Sequence, residues 1–357
     1  MLNGQCSMVN ERITERAVEL LCRLIETPRV SREETAAADL LQAYMQEELH
    51  LETHREGNNL WSMQPEFDAS KQTLLLNAHI DTVKPVSGWQ RNPFEATREG
   101  SRIYGLGAND DGASLVSLLH VFASLYEARC PYNLVFLASA EEEVSGKNGI
   151  ERVLPLLPKI DVALVGEPTG MQPAIAEKGL MVLDCTARGK AGHAARDEGD
   201  NAIYHAIDDI EWFRHYKWER ISPLLGPVKM SVTILDAGTQ HNVVPDICTF
   251  TVDVRSNECY TNQELFDEIG KNVTSEVKAR STRLGSSSID VGHPIVQKII
   301  ALGGKPFGSP TLSDQALMPF PSLKLGPGES KRSHSADEFV DFCEIQHAIE
   351  TYIALLK

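Results

Sequence analysis

Short, nearly continuous apolar runs constrain the fold of this chain more than any other feature. They cover residues 73–78 (TLLLNA), 133–138 (NLVFLA) and 162–165 (VALV). Runs of this length suit strands of a parallel sheet, because such strands are buried on both faces. Residues 113–128 are apolar at helical spacing and predict a crossover helix after the first run. The first part of the chain therefore predicts a mostly parallel α/β sheet flanked by helices.

The middle of the chain has a different pattern. Its apolar runs at 180–187, 228–235 and 247–254 are longer, and the last two alternate apolar with polar residues. Amphipathic helical segments lie between them, which is typical of an α+β arrangement with helices on one face of a sheet. We therefore predict an inserted α+β domain at 179–289, with residues 1–178 and 290–357 forming the α/β domain.

Two capping boxes predict where helices begin. Ser31 is followed three residues later by Glu34, and Thr261 is followed by Glu264. In this motif the two side chains bond reciprocally to backbone amides of the first helical turn. We expect a helix after each pair.

Composition excludes several classes of function. The chain has 34 Lys and Arg against 50 Asp and Glu, a net charge of −16, which argues against binding to nucleic acids or to an anionic membrane surface. No apolar stretch approaches the roughly 18 residues of a membrane span. Residues 1–9 lack the layout of a secretory signal, and the seven cysteines include no CxxC pair. These features predict reduced thiols in a cytoplasmic protein.

Acidic and histidine side chains follow four apolar runs. The clusters are His79 with Asp81, Glu141 to Glu143, Glu167, and His334 after the run at 322–325. The carboxyl ends of parallel strands share one edge of a sheet, where ligands bind, so these clusters are expected to converge. Each cluster alone has a structural explanation, such as a core histidine or an acidic helix start. Their joint arrangement favours a site.

Imidazoles and carboxylates together suit hard-to-borderline divalent metals such as zinc. Three carboxylates and one hydroxide would balance the charge of two such ions. A bridge between ions about 3.5–4 Å apart needs a short carboxylate. Asp110, in the loop 105–112 before the crossover helix, is the obvious candidate.

These motifs resemble those of the di-zinc aminoacylase and metallopeptidase superfamily, which includes acetylornithine deacetylase, succinyl-diaminopimelate desuccinylase, carboxypeptidase G and related di- and tripeptidases. The resemblance runs in family order from His79 to Glu338. It implies a zinc-binding catalytic domain (1–178 and 290–357) and an inserted lid and dimerisation domain (179–289).

Carried over residue by residue, the resemblance implies five metal ligands. The first zinc would be held by His79 and Glu167, the second by Glu143 and His334, and Asp110 would bridge both. A cis peptide bond commonly follows this aspartate in the family.

The resemblance also implies roles next to the metals. Glu142 would be the general base, and Asp81 would hold the imidazole of His79. His193 of the inserted domain would reach across a dimer to polarise the scissile carbonyl.

Substrate-binding groups follow from the same resemblance. Asn242 and Arg255 of the inserted domain would hold the substrate, and the Gly326-Pro327-Gly328 turn would lie beside its carboxylate. As ordinary features, Asn242 would be a turn residue and Arg255 a surface charge.

The implied activity is hydrolysis of an N-acetyl or N-succinyl amino acid by two divalent ions, zinc first, with cobalt and manganese as alternatives. Acetylornithine deacetylase of arginine biosynthesis is the most similar activity. Acylcitrulline or succinyl-diaminopimelate deacylation, di- or tripeptidase activity and a catalytically silent metal- or ligand-binding relative stay open. The desuccinylase branch typically has Gly-Gly-Thr-Ser-Asp where this chain has residues 310–314 (PTLSD), and this departure counts against the desuccinylase alternative without excluding it.

Overall fold

A computed structural model describes the backbone of residues 2–357 and the side chains from Asn10 onward. The chain folds into two compact units. The first consists of Met1–Ile175, Ile289–Phe307 and Ser313–Lys357, and the second of Ala176–Ser288 and Gly308–Leu312. These boundaries lie within a few residues of the sequence-based ones, except that 308–312 belong to the second unit. The amide of Lys178 donates to the carbonyl of Ser309 at 3.1 Å, which ties this segment to the second unit.

The helices and strands are numbered in chain order. The helices are α1 (Leu2–Ile25), α2 (Thr35–Ala43), α3 (Ala113–Ser124), α4 (Ile150–Val153), α5 (Ala202–His215), α6 (Asn262–Asn272), α7 (Pro294–Ala301) and α8 (Phe342–Leu356). The strands are β1 (His54–Glu56), β2 (Asn59–Met63), β3 (Thr73–His79), β4 (Thr97–Glu99), β5 (Arg102–Tyr104), β6 (Asn133–Ser139), β7 (Val162–Val165), β8 (Ala174–Glu177), β9 (Met181–Arg188), β10 (Gly192–His193), β11 (Lys229–Ala237), β12 (Val243–Val244), β13 (Ile247–Arg255), β14 (Glu276–Ala279), β15 (Ser287–Ser288), β16 (Phe307–Ser309), β17 (Ser322–Lys324) and β18 (Phe339–Asp341).

The main sheet of the first unit is parallel at its centre. Its strand order is β1-β2-β6-β3-β7-β17-β8, and β6, β3, β7 and β17 run parallel to one another. The flanking pairs are antiparallel, and β15 and β16 also pair with β8. A second sheet has the order β18-β5-β4. The predicted α/β fold is confirmed, and the three apolar runs form β3, β6 and β7.

Both faces of this sheet are covered, which explains why its strands are continuously apolar. In β3, Leu74 and Leu76 pack into one cluster with residues of α1, α3 and α8, whereas Leu75 packs into a second cluster with residues of α4. All three leucines are fully buried. Successive side chains of a strand point to opposite faces, so a strand between two helical layers needs apolar residues at every position.

The second unit is an antiparallel sheet covered by helices. Its strand order is β11-β13-β9-β14. One face, which includes Leu183, Cys185 and Phe250, packs against α5 and α6 in a separate core. This is the predicted α+β arrangement with helices on one face.

One of the two predicted capping boxes is confirmed. Thr261 caps α6, and the side chain of Glu264 accepts from its amide at 2.7 Å. The prediction at Ser31 is wrong, because α2 begins at Thr35 after Glu34. The hydroxyl of Ser31 instead donates to Asp81 at 2.6 Å, a tertiary partner that local spacing cannot anticipate.

The remaining composition-based expectations concern thiols and membrane spans. The six cysteines whose side chains are described are free, whereas Cys6 lies outside the described side chains. Among the described residues, no helix combines the length and apolar character needed to cross a membrane.

Candidate metal centre

His79 lies at the carboxyl end of β3, and its ring orientation is fixed by the backbone. Its side chain is 2 % exposed, and Nδ1 donates to the carbonyl of Asp81 at 2.9 Å. A carbonyl only accepts, so Nδ1 carries a proton, and Nε2 is the ring nitrogen that can coordinate a metal ion. Nε2 faces the carboxylate of Asp110 at 3.2 Å. This is the usual arrangement of a metal-binding histidine.

Asp110 lies between two imidazoles. Its Oδ1 is 3.2 Å from Nε2 of His79, and its Oδ2 is 3.7 Å from Nε2 of His334. Asp110 is part of an irregular turn at residues 108–112 before α3, and the peptide bond from Asp110 to Asp111 is cis, as the family resemblance implied. One carboxylate oxygen directed at each imidazole is the arrangement that a bridge between two ions requires.

His334 faces a second carboxylate. Its Nε2 is 2.9 Å from Oε2 of Glu143 and 3.2 Å from Oε1. The side chain of Glu143 is 7 % exposed, whereas that of His334 is 53 % exposed. This pair therefore lies at the open side of the cluster.

The remaining predicted ligand and the predicted base lie in the same place. Ligand atoms of His79, Glu142 and Glu167 lie within 4.8 Å of one another, and so do those of His79, Asp110 and Glu143. The structure thus brings together all five predicted metal ligands and Glu142. The strand register explains the convergence, since Ser139 of β6 pairs with His79, and Asn77 pairs with Val165 of β7.

Asp81 acts mainly on the loop that carries the two glutamates. Its carboxylate accepts from the amides of Glu142 at 3.0 Å and Glu143 at 3.2 Å, and from the hydroxyl of Ser31. Oδ1 lies 3.6 Å from Nδ1 of His79, beyond hydrogen-bonding distance. The hydrogen bond that orients the imidazole of His79 is made by the carbonyl of Asp81, and the predicted supporting role of Asp81 beside the metals stays a prediction.

The buried glutamates of the cluster carry more negative charge than the nearby cationic side chains can neutralise. Burial raises the pKa of Glu142 well above its usual value, and the nearby charges of Glu167, Asp314 and Glu143 add to this against the opposing effect of His79. Burial likewise raises the pKa of Glu167, although Lys324 opposes it. Both upward shifts indicate that too little positive charge lies near these carboxylates.

The pKa values of the two imidazoles are raised as well, which for a histidine favours the charged form. Burial lowers the pKa of His79, but Asp110, Asp81 and Glu142 outweigh it, so the net shift is well upward. The hydrogen bond to Glu143 raises the pKa of His334 to about 8. Two imidazoles surrounded by buried carboxylates are a nitrogen and oxygen donor set with excess negative charge, which fits a pair of divalent cations.

The predicted Gly326-Pro327-Gly328 turn supports the loop that carries Glu167. The carbonyl of Gly326 accepts from the amides of Thr169 and Met171, and the carbonyl of Gly328 accepts from that of Gly170 at 2.7 Å. A Cβ on Gly326 would lie 2.5 Å from the carbonyl oxygen of Glu167. The turn therefore has a structural role, and its predicted contact with substrate stays a prediction.

Three predicted residues belong to the second unit. His193 of β10 is exposed and pairs with Val243 of β12, beside Asn242. The Nδ1 of His193 accepts from the amide of Ala195 at 3.1 Å. Arg255, at the end of β13, donates from Nε and Nη2 to Asp253 at 2.8 and 3.1 Å. Their roles stay predictions.

Sequence reasoning missed three buried groups. Glu338 accepts from the amides of Gly107, Asn109 and Asp110 at 2.8–3.0 Å, and burial raises its pKa to about 7. Asp314 accepts from the hydroxyl of Ser139 at 2.5 Å. Lys324, at the end of β17, is the third. The acidic end of the motif 333–338 was a usable signal for Glu338, whereas the other two depend on distant partners.

The fold and this cluster define a hydrolase of the metallopeptidase type, and comparison with known proteins identifies its family. The model for Peptidase family M20/M25/M40 matches residues 75–357. The chain belongs to this family. The resemblance seen in the sequence is thereby confirmed, and membership in a family of hydrolases argues against the silent, non-enzyme alternative.

Curated relatives cover nearly the whole chain. Acetylornithine deacetylase of Proteus mirabilis is 26 % identical over 373 residues, covering 95 % of this chain and 96 % of the relative. A protein of Mycobacterium tuberculosis named putative succinyl-diaminopimelate desuccinylase DapE is 28 % identical over 352 residues, covering 93 % and 96 %.

Solved structures share the fold at lower identity. A tripeptidase from Staphylococcus aureus superposes with a TM-score of 0.76 at 20 % identity, covering 96 % of this chain and 98 % of that one. A protein of Bacillus subtilis described as a dinuclear metal binding peptidase has a TM-score of 0.73 at 17 % identity, covering 97 % and 98 %. At these identities the likeness concerns the fold.

Proposed function

We propose that this protein is a zinc-dependent amidohydrolase that removes an N-acetyl or N-succinyl group from an amino acid, with N-acetylornithine as the first candidate substrate. The observation that carries the proposal is the position of Asp110, which directs one carboxylate oxygen toward His79 and the other toward His334. The names of the relatives, at 25–28 % identity, supply the substrate class.

In the proposed centre, His79 and Glu167 would hold one ion, Glu143 and His334 would hold the other, and Asp110 would be shared between them. Bound divalent ions supply Lewis-acid polarisation of the acyl oxygen and increase the acidity of a water molecule. Zinc is the preferred ion because imidazole and carboxylate suit it, and cobalt or manganese would also accept these donors.

Glu142 is the proposed general base. It would take a proton from the attacking water and then deliver it to the leaving amine nitrogen. The raised pKa of Glu142, caused first by burial, supports this double role because it makes the protonated form more accessible.

Groups of the second unit are the proposed substrate contacts. The two bonds from Arg255 to Asp253 use Nε and Nη2, so Nη1 remains for the α-carboxylate of an amino acid. Because Nδ1 of His193 accepts a bond, its proton is on Nε2, which can then donate to a developing oxyanion. Asn242, next to His193 on the paired segment, is the third proposed contact.

We infer a homodimer formed through the second unit. β11 is an edge strand of its sheet, and Ile234 and Leu235 on it are 58 % and 56 % exposed. Tyr204 and Ile207 of α5 and Ile247 of β13 are exposed as well. An apolar edge strand is a site for pairing with another chain. Sedimentation should give a dimer that Ile234→Lys weakens, and a fully active monomer would contradict the inference.

Peptide hydrolysis is the second candidate function. The solved structures with similar folds include the tripeptidase from Staphylococcus aureus and the aminopeptidase PepT from Bacillus cereus. Their identities of 19–20 % support the fold only, so deacylation ranks first. Succinyl-diaminopimelate deacylation also ranks below deacetylation, because residues 310–314 match only the Ser-Asp ending of the desuccinylase pattern. The carboxylate of Asp314 in this segment accepts a hydrogen bond from the hydroxyl of Ser139.

An activity screen on the metal-reconstituted protein tests the proposal. The panel contains N-acetylornithine, N-acetylcitrulline, N-acetyl-lysine, N-succinyl-diaminopimelate and unmodified di- and tripeptides. We expect metal-dependent release of acetate or succinate, lost in Glu142→Ala. Turnover of peptides only would move the assignment to a peptidase. An arginine-biosynthetic role requires N-acetylornithine to be the best substrate.

A cytoplasmic location is also proposed. It is supported by the free thiols of the six described cysteines, three of which, Cys130, Cys185 and Cys248, are buried. Fractionation of expressing cells with an antibody to the protein would test it.

A further inference from the structure

Arg29 places a buried guanidinium next to the candidate metal centre. The residue follows α1 in the segment Thr27-Pro28-Arg29 and is 2 % exposed. Its Nη1 donates to the carbonyl of Ile80 at 2.5 Å, and its Nη2 donates to the carbonyl of Gly107 at 2.8 Å. One side chain thus contacts two loops that are far apart in sequence.

Both contacted carbonyls lie close to proposed ligands along the chain. Ile80 stands directly after His79, and Gly107 lies three residues before Asp110. The main chain of Arg29 joins the first loop as well, because its carbonyl accepts from the amide of Thr82 at 2.9 Å. The spacing between the His79 loop and the Asp110 loop is therefore linked to the position of Arg29.

Two glycines leave room for the guanidinium. A Cβ on Gly107 would lie 2.5 Å from Nη2 of Arg29, and one on Gly112 would lie 3.0 Å from the same atom. Gly107 also has a φ of +73°, a conformation that other residues rarely adopt. The Asp110 loop is thus shaped to accept an arginine at this position.

Carboxylates supply the charge that a buried guanidinium needs. Burial lowers the pKa of Arg29, and the nearby charges of Glu338, Asp81, Asp111 and Asp110 oppose that effect, Glu338 most strongly. Glu338 also accepts from the amides of Gly107, Asn109 and Asp110. The Asp110 loop is therefore held in two ways: its backbone amides donate to Glu338, and the carbonyl of Gly107 accepts from Arg29.

We propose that Arg29 is a positioning residue for the metal pair, and that its guanidinium fixes the separation between the loop carrying His79 and the loop carrying Asp110. The inference rests on the proposed metal ligands but not on the identity of the substrate. A lysine could not replace it fully, because only the planar fork donates to two divergent carbonyls with fixed geometry.

The test compares Arg29→Met and Arg29→Lys with the parent protein. Affinity for Zn²⁺ is measured by competition with a chromophoric chelator, and the ligand field by the visible spectrum of the Co²⁺-loaded protein. Urea unfolding of the metal-free proteins establishes that each variant folds. Arg55→Met is the matched control, since Arg55 also donates to several groups, namely Asp39, Gln42 and the carbonyl of Gly57.

We expect Zn²⁺ affinity to fall about 10- to 100-fold in Arg29→Met, as is usual when a partner behind the ligands is lost, and by less in Arg29→Lys. The Co²⁺ spectrum should shift in both, and the control should match the parent. At saturating metal, KM should stay near the parent value.

A purely structural role predicts a different result. Arg29→Met would then be less stable without metal, yet its folded form would bind Zn²⁺ with parental affinity and give an unchanged Co²⁺ spectrum, and this outcome would overturn the proposal. If Arg29→Met does not fold, Arg29→Lys decides alone. A parent protein that binds metal but hydrolyses no amide would reject the proposed function without affecting this inference.

Discussion

Buried carboxyl groups of the candidate metal centre differ in how their charge is compensated. Burial raises the pKa of Asp81, but the nearby charge of His79 and hydrogen bonds from Ser31 and the amide of Glu142 outweigh it, so the net shift is downward. Glu142 has no comparable donors, and its pKa is shifted well upward. Asp81 is thus fixed as an anion that orients the loop, whereas Glu142 can exchange a proton. Such a separation of pKa values distinguishes supporting from reacting carboxylates.

Glu142→Gln should therefore reduce turnover while leaving the metals in place. We expect kcat to fall by about 10²–10⁴-fold, the usual contribution of a positioned base. Metal content and substrate KM should stay close to those of the parent. The exposed Glu127→Gln is the control. Steady-state kinetics with elemental analysis checks this, and a variant that hydrolyses as fast as the parent would contradict the assignment of the base.

His120 of α3 should make the fold sensitive to acid. Its Nδ1 donates to the carbonyl of Val116 and its Nε2 accepts from Tyr44, so the neutral ring is satisfied. Burial lowers the pKa of His120 to about 4. The unfolded chain takes up a proton below about pH 6.5 whereas the native chain does not, so stability falls between pH 6.5 and 4 and this contribution is constant below.

His120→Gln should reduce this dependence. From the two pKa values, the parent should lose about 2 kcal/mol of unfolding free energy between pH 7 and pH 5 through this residue. Urea unfolding at both pH values measures the loss, and substitution of the exposed His347 by Gln is the control. Equal losses in the parent and in His120→Gln would show that His120 is not the cause.

Four parallel strands determine where the site lies. β6, β3, β7 and β17 end at the same edge; His79 ends β3, and Glu142, Glu143 and Glu167 follow β6 and β7, whereas Asp110 lies in the turn before α3 and His334 in the longer loop after β17. This part was predictable, because continuous apolar runs identify central strands and their ends share an edge. Arg29 and Ser31 were not predictable as site residues, since each acts through partners about 50 or more positions away. Local patterns carry no information about such contacts.

The turn after β17 should be sensitive to a single methyl group. In Gly326→Ala the added Cβ would lie 2.5 Å from both the carbonyl oxygen of Glu167 and the hydroxyl of Ser114. Overpacking of this kind costs about 1–3 kcal/mol, and displacement of the Glu167 loop should weaken metal binding as well. Urea unfolding and metal titration measure the two effects.

Gly270→Ala is the matched control for this substitution. Gly270 lies in α6, and a Cβ there would meet no atom within 4 Å. Alanine should stabilise the helix by up to about 1 kcal/mol. A Gly326→Ala protein as stable as this control, with parental metal affinity, would show that the close packing of the turn is not required.

At the scale of the whole molecule, the chain carries a net charge of −16 and gathers several of its acids in one buried cluster of the first unit. Because that unit is assembled from three separate segments, the ligands come from distant parts of the chain: His79, Asp110 and Glu167 from the first, and His334 from the last. Bound cations would therefore connect these segments and neutralise the cluster.

Metal removal should accordingly destabilise the protein. An ion present at 100 times its Kd stabilises the native state by about 2.7 kcal/mol, so chelation should lower the unfolding midpoint markedly. Calorimetry with and without a chelator measures the shift. In a His79→Ala variant, chelation should lower the unfolding midpoint by less than in the parent, because this variant lacks one proposed ligand of the metal pair. An unfolding midpoint of the parent that does not change on chelation would contradict a resident metal.

Anomalous diffraction at the zinc edge, on crystals of the zinc-reconstituted protein, tests the central claim most directly. We expect two peaks about 3.5–4 Å apart, with Asp110 between them, His79 and Glu167 on one, and Glu143 and His334 on the other. A single peak, no peak, or an Asp110 carboxylate directed away from both histidines would contradict the account.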